Sequence, residues 1–180
     1  MRFSKRTLWL WLWLSLLLLS VSPSASAQTA RFDLSFKHWG EFYFPWEDWH
    51  WWKAQGIAES GLNPSLTGPS GDAGIMQMIP TTQKAMGVKD PLDAEESIQG
   101  GIKYDRILWD SWKVSDAAQH RNFTFGSYNA GLGSIQKAAK LVEKLDWSSI
   151  AAALSQVTGR WAITTVRYVN GINATHAGMR

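Results

Sequence analysis

Three short segments of this 180-residue chain carry the side chains best suited to chemistry. They are Ala58-Glu59-Ser60-Gly61, Gly74-Ile75-Met76-Gln77 and Tyr128-Asn129-Ala130-Gly131. Glu59 closes an amphipathic run just before a glycine, where the negative pole of a helix and apolar neighbours such as Ile57 both disfavour its ionised form. A carboxylic acid still protonated near neutral pH can protonate a glycosidic oxygen. Taken alone, a glutamate in this place reads as a solvated helix end; its neighbours change that balance. Ser60 can donate to the carboxylate or to a substrate, and Gly61 lets the chain turn away. Gln77 carries both a donor and an acceptor, and Met76 beside it suits a core as well as a ligand contact. Asn129 can cap a helix or bind an amide, and Tyr128 and Tyr168 can pack in the core or line a cleft.

These residues need helices to hold them. Pro45 suits a first helical position and is followed by Glu47 and Asp48, so the first helix is expected from Pro45 to about Ser60, stopped by Gly61, Asn63 and Pro64. Residues 62–74, rich in Gly, Pro, Ser and Thr, read as loop or short hairpin. Pro80 to Met86 is a short helix ending at Gly87. Asp93-Ala94-Glu95-Glu96 is a capping box, and Ile98, Ile102, Ile107, Leu108 and Trp112 form an apolar stripe behind it. Gly100 and Gly101 fit that helix if another backbone packs closely there. Further helices are expected from about Arg121 to Tyr128, Leu132 to Leu145, Trp147 to Gln156 and Ile163 to Ile172. Among the tryptophans, spacing assigns Trp49 and Trp52 to the core and leaves Trp46 and Trp51 as candidate surface contacts.

Ahead of this domain, Arg2, Lys5 and Arg6 precede an apolar run and Ala25-Ser26-Ala27, the layout of a secretory signal peptide. The expected organisation is a signal peptide over residues 1–27, an irregular aromatic lead-in over 28–44, and one mainly α-helical domain over 45–180 with a small loop or hairpin region. Removing the leader takes three of the 18 basic residues and leaves 15 against 15 acidic ones, so no basic run argues for nucleic acid. Without cysteine there is no disulfide framework and no thiolate metal site, and the scattered histidines argue against any metal.

The motifs together resemble the soluble lytic transglycosylase domains of the lysozyme-like superfamily, relatives of goose-type lysozymes. Glu59-Ser60-Gly61 with Asn63-Pro64 matches the first family motif, Gly74 to Gln77 with Pro80 and Thr82 the second, and Ser127 to Gly131 the third. Ser97-Ile98 through Gly101 and Tyr104 match a further run, and Thr164-Thr165-Val166-Arg167-Tyr168-Val169 the last. Thr164 stands where the family has a glutamate, Ser97 where it has an asparagine, and Leu132 where proline is common. The resemblance implies a mainly α, α+β lysozyme-like fold and a peptidoglycan lytic transglycosylase. It gives Glu59 the role of sole acid/base and places Ser60, Met76, Gln77, Tyr128, Asn129 and Tyr168 along the substrate cleft. Alternatives are a lysozyme-like hydrolase and a non-catalytic glycan-binding or assembly protein. No cofactor or metal is implied. The partner is the peptidoglycan glycan strand, not nucleic acid. A periplasmic or secreted location is expected, with no stable membrane anchor after cleavage and a secretion or cell-wall machinery as the open further partner.

Overall fold

The computed structural model describes residues 30–179; the signal-peptide expectation lies outside them. The first helix, α1 (Asp33–Tyr43), falls where an irregular lead-in is expected. The reason is a four-residue repeat: Phe32, Phe36, Gly40 and Phe44 lie on one buried stripe, three phenylalanines and a glycine. Gly40 lets Trp49 approach so closely that a Cβ there would sit 2.8 Å from the Trp49 Cβ. The segment does pack on the domain. Ser35 and Trp39 donate to Glu95 at 2.5 and 2.6 Å, and Lys53 meets Asp33 at 2.5 Å.

Helix α2 (His50–Ser60) begins five residues later than expected from Pro45. Asp48 accepts from the His50 backbone N–H at 3.1 Å, a local bond that favours a turn over another helical residue. Its C-terminal stop is as expected: Gly61 is left-handed, and the Gly61 and Leu62 N–H groups return to Ile57 and Gly56. The following loop forms two isolated antiparallel bridges, Thr67 with Ala73 and Ala73 with Met78, in place of regular strands.

Helix α3 (Pro80–Met86) has the expected bounds, with proline in its first turn and Gly87 behind it. Helix α4 (Ala94–Asp110) is capped by Asp93, which accepts from Glu96 N–H at 2.9 Å. The Glu96 carboxylate turns instead to the Lys89 and Asp90 N–H groups, so the capping box is half made. Gly100 and Gly101 admit side chains rather than a backbone: a Cβ on Gly101 would meet Met76 at 2.6 Å, and one on Gly100 would meet Val88 at 2.4 Å.

Helix α5 (Ala117–Ala130) starts four residues before Arg121, because Asp116 caps it through Gln119 N–H at 2.8 Å. Helix α6 (Leu132–Ala139) stops six residues before Leu145. Leu141 and Leu145 are exposed, so no buried face rewards its continuation. Helix α7 (Trp147–Ala153), a short α8 (Ser155–Thr158) and a 3₁₀ turn (Gly159–Trp161) lead into α9 (Ala162–Ala177), which is longer than expected at both ends. Packing of α9 on α2 and α5, and of α4 on α1 and α5, encloses a single aromatic core. Trp51 belongs to that core, stacked on His176 with ring centroids 3.4 Å apart, and is not a surface contact. Trp46 is exposed, under the guanidinium of Arg106.

Candidate active site

Glu59 stands in the last turn of α2, half-buried, where α9 and the 62–79 loop close over the helix end. The hydroxyl of Tyr168, on α9, donates to its Oε1. Burial drives the Glu59 pKa up to about 7; the Tyr168 bond lowers it, and the negative charge of Asp72 raises it. No cation is among these influences.

The second motif is a strained turn. Gly74 has φ 78°, and a Cβ there would lie 1.8 Å from the Pro91 carbonyl. Gln77 adopts φ 45°, unusual for a side-chain-bearing residue, and its Nε2 donates to Leu66 O at 2.9 Å and Gly74 O at 2.8 Å. Ser97, wholly buried, accepts from Met76 N–H at 3.2 Å. Ser60 does not reach for the carboxylate. Its hydroxyl donates to Ile75 O at 2.9 Å, tying the end of α2 to this turn.

Tyr128, in the last turn of α5, donates to the Met76 carbonyl at 2.7 Å and lies against Tyr104 with ring centroids 5.3 Å apart. Burial, and then the charge of Glu59, pushes the Tyr128 and Tyr168 phenols well above their ordinary range, so both keep their hydroxyl protons. Exposed Asn129 accepts from Thr165 Oγ1 at 2.8 Å, which turns its amide nitrogen away from α9.

The structure thus brings Glu59, Tyr168, Tyr128 and Asn129 together, with Ser60 and Gln77 bracing the loop between them. Met76 departs from its expected place on the cleft. Its side chain is fully buried against Gly101, and only its backbone serves the site. Asp72, in the loop after α2, accepts from Ser70 N–H at 3.2 Å and acts electrostatically on Glu59.

Two cavities flank the Tyr128-Asn129 corner. One, of about 270 Å³, is walled by Gln77, Thr82, Tyr104 and Tyr128; the other, of about 390 Å³, by Thr158, Trp161, Thr164 and Thr165. Asn129 and Ala130 belong to both. Glu59 is in the wall of neither. Tyr128 connects it to the first, and Tyr168, one helical turn beyond Thr164, connects it to the second.

Three residues near this site escape a reading by motif. Trp161, 62% exposed, lies in a turn with no periodicity to single it out. Gln55 sits one turn before Glu59 on α2, and Asp105 faces it from α4, both fully buried. Asp105 could have been found: counting from Ile98 and Ile102, positions 105, 108 and 109 continue the buried stripe, whereas Ile107 is exposed.

A family model for the transglycosylase SLT domain matches residues 53–150. The membrane-bound lytic murein transglycosylase F of Shewanella woodyi is 34% identical over 137 residues, covering 72% of this chain and 28% of that protein. Its namesake from Vibrio cholerae is 32% identical over 129 residues, 67% of this chain and 24% of the relative. The chain therefore spans about a quarter of the length of the curated relatives it matches. Among solved structures, the 70 kDa soluble lytic transglycosylase of Escherichia coli superposes with a TM-score of 0.62 at 20% identity, over 85% of this chain and 26% of that one, and shares the fold. With more than half of its length matched by the family model, the chain belongs to the transglycosylase SLT domain family.

Proposed function

We propose that this domain cleaves the β-1,4 bond between N-acetylmuramic acid and N-acetylglucosamine in peptidoglycan and leaves a 1,6-anhydro end. The observation that carries the reading is a carboxyl lifted to about 7 by burial, without a cation, and bonded to Tyr168, near two cavities that share Asn129 and Ala130. Glu59 in its acid form protonates the bridging oxygen as the C1–O bond breaks. The resulting carboxylate then takes the proton of the sugar's own C6 hydroxyl as that oxygen bonds to C1. An internal nucleophile removes the need for a second carboxylate at hydrolytic spacing. Tyr168 holds Glu59 Oε1 and favours the carboxylate that forms between the two steps. Asn129 presents its amide nitrogen to an acetamido or hydroxyl group, Gln77 and Tyr104 line one chamber, and Trp161 and Thr164 line the other. Thr164 supplies a neutral hydroxyl at the position where the family pattern has a carboxylate.

The relatives named lytic murein transglycosylase and the match to the SLT family support this substrate. An exported location follows from the substrate and from the basic-apolar-small order of residues 1–27. Among the described residues no helix is long and apolar enough to cross a membrane.

Digestion of purified sacculi with the whole chain tests the proposal, with the products read by mass spectrometry. Anhydro-muropeptides are expected. Muropeptides with free reducing ends would replace the reading with hydrolysis, and retention on sacculi without release would replace it with glycan binding.

A further inference from the structure

A second carboxyl lies behind the first. Asp105 is completely buried in the middle of α4, and Gln55 of α2 donates to its Oδ1 from Nε2 at 3.3 Å. The other edge of this contact is unusual: Asp105 Oδ2 and Gln55 Oε1 are both buried and both without a hydrogen-bond partner. Each is an acceptor as ordinarily protonated, and orphaned buried acceptors are rare. One proton resolves both. In an edge-to-edge pair of a planar amide and a planar carboxyl the two remaining oxygens lie alongside, and a proton on Oδ2 turns that acceptor pair into a second bond.

We propose that Asp105 is a positioning residue for Glu59: held as a neutral carboxylic acid, it accepts from Gln55 Nε2 and donates from Oδ2 to Gln55 Oε1. This closed acid–amide pair fixes the turn of α2 that ends in the reacting carboxyl. Gln55 and Glu59 are separated by four residues on one helix, so they share a face, and locking the Gln55 side chain to α4 restrains the turn that aims Glu59.

The charges around Asp105 support a neutral state. Glu59 faces it from α2, Tyr128 from α5 and Tyr168 from α9, and Tyr104 precedes it on its own helix; none of them is cationic. The polar contacts of α4 with α1 and α3 run elsewhere: through Glu95, through Arg106, which pairs with Asp110 and donates to Tyr43 O at 3.2 Å, and through Lys103, which donates to Met86 O. Burial pushes the Asp105 carboxyl well above the ordinary range, the Gln55 bond opposes this, and ionised Glu59 pushes it higher still. On this proposal the proton that leaves the pair is the one on Glu59. Once Glu59 is ionised, its charge keeps Asp105 protonated, so the cluster never holds two negative charges during the acid-to-base exchange.

This inference rests on Glu59 being the acid, and its test reads Asp105 directly as well as through turnover. Infrared difference spectra of wild type minus Asp105→Asn are recorded at about pH 8.5, above the titration of Glu59. The carbonyl stretch of a protonated carboxylic acid is expected in the difference; a carboxylate band in its place overturns the proposal whatever the activity. Asparagine reproduces both bonds of the neutral pair, so Asp105→Asn should keep kcat to within about twofold and leave the alkaline limb of the pH profile in place. An alkaline limb lowered by about one pH unit or more would show that a negative neighbour had been removed, which also overturns it. Asp105→Leu leaves the Gln55 amide unpaired and should lower kcat about tenfold with KM unchanged. Full activity in Asp105→Leu sinks the positioning role. If wild type releases no muropeptides, the cleavage reading fails first, and the infrared result still decides the protonation state of Asp105.

Discussion

At its N-terminal end α2 is preceded by Glu47 and Asp48, and both are met by basic side chains. Arg121 contacts both Glu47 oxygens, the shorter at 2.8 Å, with its guanidinium over the Trp51 ring. Asp48 lies between His50 at 2.6 Å and His176 at 2.9 Å. Burial works against the charge on Asp48, yet the bonds from His50 and then His176 hold its carboxyl below the ordinary range. Burial raises Glu47 despite Arg121, although its side chain is only 7% exposed and would be far costlier to leave alone. At the C-terminal end of the same helix Glu59 has a phenol, a nearby aspartate and a second buried carboxyl in place of a base. A helix can thus carry carboxylates that join elements at one end and a carboxylic acid at the other. The difference lies in which side chains the neighbouring helices deliver.

The strongest way to break this contrast is Glu59→Gln. Release of muropeptides should fall about a thousandfold, because general acid–base catalysis of this kind contributes on the order of 10²–10⁴. The same variant should be more stable than wild type. The folded-state pKa of Glu59 is raised from 4.5 to about 7, so its contribution to stability is fully present below 4.5 and is lost as pH rises through about 7. Urea unfolding at pH 8 should therefore show Glu59→Gln ahead by about 1–3 kcal/mol, with no gain at pH 4. A variant that loses activity and also stability at pH 8 would contradict the cation-free environment.

Arg121→Met attacks the other end. It strands Glu47 and removes the ring contact with Trp51, and a loss of about 2–3 kcal/mol in unfolding free energy is expected. The alkaline limb of the activity profile should not move, since Arg121 is not among the groups that set Glu59.

Tyr168→Phe sharpens the comparison. Losing the hydroxyl that lowers the Glu59 pKa should shift the alkaline limb of kcat/KM upward while turnover drops about tenfold, because the carboxylate intermediate loses its donor. In wild type that limb should fall as pH rises through about 7, the acid form being the one required. The smallest effect belongs to Asp72→Asn: removing a partly screened negative neighbour should lower the limb by about a few tenths of a pH unit.

Much of this was legible along the chain. The Gly61 and Gly87 stops, the Pro80 start and the Asp93 cap are local bonds between residues a few positions apart, so their signals survive in one dimension. The helix over 33–43 was also written there, in Phe32, Phe36, Gly40 and Phe44 at every fourth position, but Trp39, Phe42 and Tyr43 between them blur that period. Met76 was misplaced because its motif neighbour Gln77 lines the cavity while Met76 itself turns inward to fill the space above Gly101. The role of Asp105 carries no signal along the chain, because a lone acid on an apolar stripe acquires meaning only from what faces it.

Residue order by itself determined that this chain makes a mainly helical domain with Glu59 at a helix end, a glycine-rich loop after it and a tyrosine-asparagine corner further on. Tertiary structure alone decided that Tyr168, 109 residues away, donates to that glutamate, and that Gln55 and Asp105 close beneath it. Spacing fixes which face of its own helix a side chain occupies. The proton affinity of a carboxyl depends on the solvent, charges and donors around it, and those were brought to Glu59 by the packing of α4, α5 and α9 against α2.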